Sequence, residues 1–159
     1  MRASIRKGFT LVEILIVVVI LGILAAIVVP QFTSASQEAI KGALNSQLQT
    51  INSQVELYRV QNAGVLPHND NDNPMLVPAE WNGWGVLVED DYLKSEPRNG
   101  YTRTRNIVAN TFTVNPDTDG TAAGWTYNNT TGQVAANGYN HVDNILASDD
   151  NTLGGWTPW

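Results

Sequence analysis

Residues 14–29 are sixteen consecutive apolar or glycine positions. Glu13 stands just before them, after Phe9, Thr10, Leu11 and Val12, and no charge follows until Glu38. Carried on through Pro30 and Gln31 to Phe32, this block makes about 29 Å of helix, close to the thickness of a hydrocarbon core. A carboxylate at the end of such a span is expensive in lipid and calls for a functional reason.

A second pattern follows without a break. Ile40, Leu44, Leu48, Ile51, Val55 and Tyr58 recur at spacings of 4, 4, 3, 4 and 3, with Gln, Ser, Asn and Glu between them. That is one apolar helical stripe. The first half is apolar all round and suits lipid or other helices. The second half is one-sided and suits a domain packed on it. Asn62-Ala63-Gly64, with Pro67 beyond, supplies the stop. The two patterns predict a single helix over residues 9–61, roughly 80 Å long.

Residues 65–100 are turn-rich. His68-Asn69-Asp70-Asn71-Asp72-Asn73-Pro74 is a polar loop, and Trp81, Trp84, Val86 and Leu87 lead into Tyr92-Leu93-Lys94-Ser95-Glu96-Pro97-Arg98-Asn99. Beyond them the period becomes two. Thr111-Phe112-Thr113-Val114 alternates, and Gly124-Trp125-Thr126-Tyr127 and Gln133-Val134-Ala135-Ala136 flank a turn ending at Gly132. The expected fold class is α+β, with a three-stranded antiparallel sheet packed on the C-terminal half of the helix. It buries Ile51, Val55, Tyr58, Phe112, Trp125 and Tyr127 together. The last twenty residues give no clear element.

Composition narrows the function. The chain has 159 residues, room for one small globular domain beside the anchor. Its net charge is −6, and three of its nine bases, Arg2, Arg6 and Lys7, precede Gly8. Without that leader six bases face fifteen acids, a balance of −9. An acidic body argues against nucleic acid as a partner and against docking on anionic lipid through the globular part. There is no cysteine, so no disulfide contributes to stability. Early bases with none soon after the apolar block place the N-terminus in the cytoplasm.

The residues Arg2, Arg6, Lys7, Gly8, Phe9, Thr10, Leu11 and Glu13, followed by an unbroken apolar helix, resemble the N-terminal segment of type IV pilins and type II secretion pseudopilins. An ordinary secretory signal cut near Ala26 fits less well, because the apolar run continues past it. A plain unprocessed anchor leaves the polar motif before the run unexplained. The resemblance covers about residues 1–60. It implies a leader of residues 1–8 removed by a prepilin peptidase between Gly8 and Phe9, then methylation. It implies a transmembrane and assembly helix over residues 9–32 and an exported domain over residues 33–159.

Further roles come with the resemblance. Glu13 acts in assembly, paired with the α-amine of Phe9 on an adjacent subunit. Gly22 and Pro30, at the family spacing, mark a hinge that loses helix in the filament. The partners implied are other copies of the chain, the peptidase and an inner-membrane assembly platform. The Tyr-Leu before Pro97-x-Asn99, and the Gly-Trp-x-Tyr pattern of residues 124–127 with the strand after Gly132, resemble major pseudopilins. With the missing cysteines they favour a secretion pseudopilus over an extracellular pilus.

Little else suggests chemistry. No nucleophile elbow, P-loop or His-Glu-x-x-His motif occurs, and an enzyme is not expected. Two isolated histidines, His68 and His141, give no zinc site, and no cofactor is expected. Asp117-Thr118-Asp119-Gly120 is a fragment of a calcium loop, and Asp70 and Asp72 are a weaker cation candidate; each is more simply a turn. Asn128-Asn129-Thr130-Thr131 contains two glycosylation sequons that also read as hairpin-turn residues. The reading from another class is a membrane-tethered binder that holds a ligand such as a polysaccharide on Trp81, Trp84, Trp156 and Trp159.

Overall fold

The computed structural model describes residues 9–67 and 84–149. Two compact units divide the chain, Met1–Glu38 and Ala39–Trp159. The helix α1 (Leu11–Gln61), 51 residues long, runs from the first into the second. Its buried positions are Leu44, Leu48, Ile51, Val55 and Tyr58, the stripe expected from the spacing. It ends in a left-handed cap. Ala63 has φ 55° and Gly64 has φ 89°, and the Gly64 N–H donates to the carbonyl of Arg59 at 2.8 Å.

In the second unit a three-stranded sheet has the order β1 (Ile107–Ala109), β2 (Trp125–Tyr127), β3 (Val134–Ala136). β2 and β3 form the expected antiparallel pair, with Trp125 opposite Ala136 and Tyr127 opposite Val134. Their turn is closed by Asn128, whose side-chain oxygen accepts the N–H groups of Thr130 and Thr131. Gly132 follows at φ 80°.

The sheet differs from expectation at β1. Its strand is Ile107–Ala109, not residues 111–114, and it pairs parallel to β2. Asn110, at φ 54°, turns the chain out of β1. The next carbonyls are then taken outside a ladder, Thr111 O by the hydroxyl of Thr126 and Thr113 O by the N–H of Gly138. Phe112 is consequently only half-buried. Two elements were not expected: a short helix α2 (Val86–Glu89), and a second antiparallel pair, β4 (Tyr139–Asn140) with β5 (Ile145–Leu146).

One hydrophobic core joins the α1 stripe to Trp84, Leu87, Leu93, Ile107, Trp125, Tyr127, Tyr139 and Leu146. Trp84 and Trp125 meet edge to face at 5.8 Å, and Tyr58 and Tyr92 at 5.2 Å. The buried indole N–H groups are satisfied, Trp84 by the carbonyl of Arg105 and Trp125 by that of Pro97.

Asn99 is the polar centre of this unit and is fully buried. Its amide nitrogen donates to the carbonyls of Gly124 and Asn137, and its oxygen accepts the N–H groups of Tyr101 and Thr102. Gly124 leaves room for this: a Cβ there would stand 2.8 Å from the Thr104 hydroxyl and 3.1 Å from the Asn99 side chain. The sheet is also tied to α1, because Asn52 exchanges two hydrogen bonds with the backbone of Val134.

Candidate functional site

The start of α1 carries the polar motif. Thr10 is the residue before the first helical one, and Glu13 is the third residue of the helix. The Thr10 hydroxyl accepts the Glu13 N–H at 3.2 Å. The Glu13 carboxylate accepts the Thr10 N–H and the Thr10 hydroxyl, both at 2.9 Å. This is a capping box: each side chain satisfies a backbone donor that the first turn leaves without a partner. The carboxylate also sits at the positive end of the helix dipole. The Thr-x-x-Glu spacing signals the cap in the sequence, a use of Thr10 that the assembly motif alone had not suggested.

After the cap the helix is apolar on every side and nothing covers it. Exposure runs from 82% at Leu11 to 41% at Val28, and Phe32 is 73% exposed. Among the described residues α1 is the one helix long and apolar enough to cross a membrane. Such a surface is stable only against lipid or like surfaces.

Gly22 and Pro30 lie inside this helix. An added Cβ at Gly22 would meet nothing within 4 Å. After Pro30 the hydroxyls of Thr33 and Ser34 fold back on the carbonyls of Val29 and Pro30, each at 3.2 Å. Residues 22–30 are helical in this structure. Phe9, 81% exposed, precedes the cap. Gly8, Arg2, Arg6 and Lys7 lie outside the described residues.

Of the remaining candidates, Trp84 and Asp119 resolve as structure. Trp84 is a core residue, 1% exposed, so it offers no surface to a ligand. Trp81, Trp156, Trp159, His68, Asp70 and Asp72 lie outside the described residues. Asp119 closes a turn: one of its oxygens accepts the hydroxyl of Thr121 at 2.6 Å and its N–H at 2.8 Å. These bonds hold its pKa below the ordinary value. Among the described residues no three His, Cys, Asp or Glu gather as a metal would need.

Comparison with known proteins follows the same lines. Residues 4–29 match the model of the prokaryotic N-terminal methylation motif. Over 102 residues the chain is 34% identical to the type II secretion system core protein G of Dickeya chrysanthemi, covering 62% of this chain and 59% of that protein. It is 36% identical over 101 residues to the core protein G of Pseudomonas aeruginosa, covering 58% and 66%. The chain thus spans less than two thirds of the length of these two relatives. It is 34% identical over 108 residues to the type IV narrow pilus major component of Thermus thermophilus, covering 68% of this chain and 85% of that protein. No solved structure matches it significantly.

Proposed function

The chain belongs to the family of type IV pilins and type II secretion pseudopilins, and we propose that it is the structural subunit of a type II secretion pseudopilus. The observation that carries this reading is the half-helix beyond Glu13, apolar on all sides and fully uncovered. A monomer has no use for such a surface except in lipid. A polymer uses it as its core, because one heterologous contact repeated by every copy builds an open helix.

Residues 1–8 are removed in the cytoplasm by a prepilin peptidase between Gly8 and Phe9. Gly8 presents no side chain, so the backbone is open to close approach. Residues 9–32 anchor the subunit in the inner membrane, and residues 33–159 lie on its outer side. An inner-membrane platform then extracts the subunit. In the filament Glu13 exchanges its bond to Thr10 for the α-ammonium of Phe9 on a neighbour, which neutralises two charges and sets the axial register. The chain supplies no catalytic group to these steps.

The similarity to the Thermus pilus component, of which 85% is covered, favours an extracellular pilus as the second reading. The tethered binder loses one of its four tryptophans to the core. N-terminal sequencing of the cellular protein tests the proposal. A mature chain beginning at N-methylated Phe9 is expected, and a protein that keeps Met1 through Gly8 would refute it.

A further inference from the structure

The chain contains three Asn-Gly dipeptides, Asn82-Gly83, Asn99-Gly100 and Asn137-Gly138. The first lies outside the described residues. The other two belong to the second unit, and both asparagines are fully buried. Asparagine before glycine is a chemically labile pair in water. Glycine has no side chain to shield its nitrogen, so that nitrogen reaches the asparagine Cγ with little hindrance.

Folding holds both sites away from this reaction. At Asn99 the leaving group, Nδ2, donates to the carbonyl of Gly124 at 2.6 Å and to that of Asn137 at 3.1 Å. The Asn99 main chain is fixed too, its N–H on the Thr104 carbonyl and its carbonyl on the Arg103 N–H. At Asn137, Oδ1 accepts the Thr113 N–H and the Thr126 hydroxyl, and Nδ2 donates to the Ala123 carbonyl at 3.0 Å. The attacking nitrogen is itself tied there: the Gly138 N–H donates to the Thr113 carbonyl at 3.0 Å. Because Asn99 bonds to Asn137, the two sites share one network and open together.

We propose that Asn99-Gly100 and Asn137-Gly138 are latent deamidation sites, silent in the folded unit, that make its prolonged unfolding irreversible. In the open chain the glycine nitrogen attacks the asparagine Cγ. A new C–N bond forms, the Cγ–Nδ2 bond breaks, and Nδ2 leaves as ammonia with the glycine proton. Water then opens the cyclic imide at either carbonyl, giving aspartate or its β-linked isomer. Neither product fits the folded site. A carboxylate at position 99 has no N–H for the Gly124 and Asn137 carbonyls and is a buried charge without a partner. The β-linked product adds a methylene to the main chain and breaks the turn that closes between Asn99 and Thr104. A chain that stays open long enough is therefore barred from refolding.

The full chain in mild detergent and mildly alkaline buffer, with and without urea, provides the test. Peptide mapping by mass spectrometry reads ammonia loss at each asparagine. Buried positions open only with the unit as a whole, so loss at Asn99 and Asn137 should be at least about 100-fold slower without urea. Samples taken from urea are then diluted to refold, and protease-resistant chains are separated from the rest. Refolded chains should hold asparagine at both positions, and the two deamidated products should be confined to chains that failed. Gly100→Ala suits the fold, because its Cβ comes no nearer than 3.7 Å to Ile40. It should slow loss at Asn99 in urea several-fold and leave Asn137 unchanged. Comparable rates with and without urea, deamidated chains among the refolded, or a parental Asn99 rate in Gly100→Ala would each overturn the proposal.

Discussion

Asn52 on α1 and Val134 on β3 form a two-way hydrogen-bonded pair, although 82 residues apart in sequence. The Val134 N–H donates to Asn52 Oδ1 at 2.8 Å, and Asn52 Nδ2 donates to the Val134 carbonyl at 3.2 Å. The side-chain amide thus stands in for a neighbouring strand at the sheet edge and joins sheet to helix. Asn52→Leu leaves a buried N–H and carbonyl without partners, which costs about 1–3 kcal/mol. Thermal unfolding of the detergent-solubilised chain should show a lowered midpoint. Asn52→Asp keeps the acceptor but not the donor and should fall between.

Stability in acid should depend on Asp149. Partial burial raises its pKa, but this is outweighed by the bonds from Lys41, the Leu146 N–H and Ser148, so the folded value lies below the unfolded one. A depressed carboxylate stabilises above its unfolded pKa of about 3.9, and the contribution is lost as pH falls through the folded value. The unfolding midpoint should decline below about pH 4. Lys41→Met should flatten that part of the decline and lower stability near neutrality. A Lys41→Met profile parallel to the parent's would show that the pair plays no part.

The hinge reading concerns Gly22 and Pro30. Replacing both by alanine favours helix at each position, by about 1 and about 3 kcal/mol respectively. The variant is expected to insert and be cut normally but to assemble slowly, since residues 22–30 then resist unwinding. A map of the parental filament with unbroken helix there would refute the hinge.

Glu13→Val should give a subunit that is cut and stable in the membrane yet assembles poorly. The capping box is lost as well, which costs about 1 kcal/mol of helix start. Thr10→Val removes the cap hydroxyl but keeps the carboxylate, so it separates the two roles. Assembly should survive in Thr10→Val and fail in Glu13→Val. Glu13→Asp should be intermediate, its carboxylate being on a shorter arm. Parental assembly by Glu13→Val would end the charge-pair mechanism.

The long helix was legible because an unbroken apolar run leads into a stripe, Ile40 to Tyr58, that keeps one helical period over about five turns. The β2–β3 hairpin was legible because its turn residues and Gly132 have one structural use. β1 was misplaced since Ile107-Val108-Ala109 lacks alternation, while Thr111-Phe112-Thr113-Val114 has it and spends its carbonyls on Thr126 and Gly138 instead. Its parallel pairing leaves no local signal. α2, β4 and β5, at four residues or two, are too short to display a period. At the site, the residues around Glu13 were readable as a motif.

The Asn99 amide has a consequence for the order of events during synthesis. Its partners lie at residues 101, 102, 124 and 137, and β1 must wait for β2 before it can pair. Contacts of such long sequence separation form late. The anchor is made from the first residues to leave the ribosome, whereas the body cannot close until residue 137 and the β4–β5 pair have followed. In the proposed topology the chain therefore crosses the membrane as an open thread held at its leading end, and folds only after nearly all of it has passed. Truncation within the last strands would leave an unfolded coil behind α1, not a smaller domain.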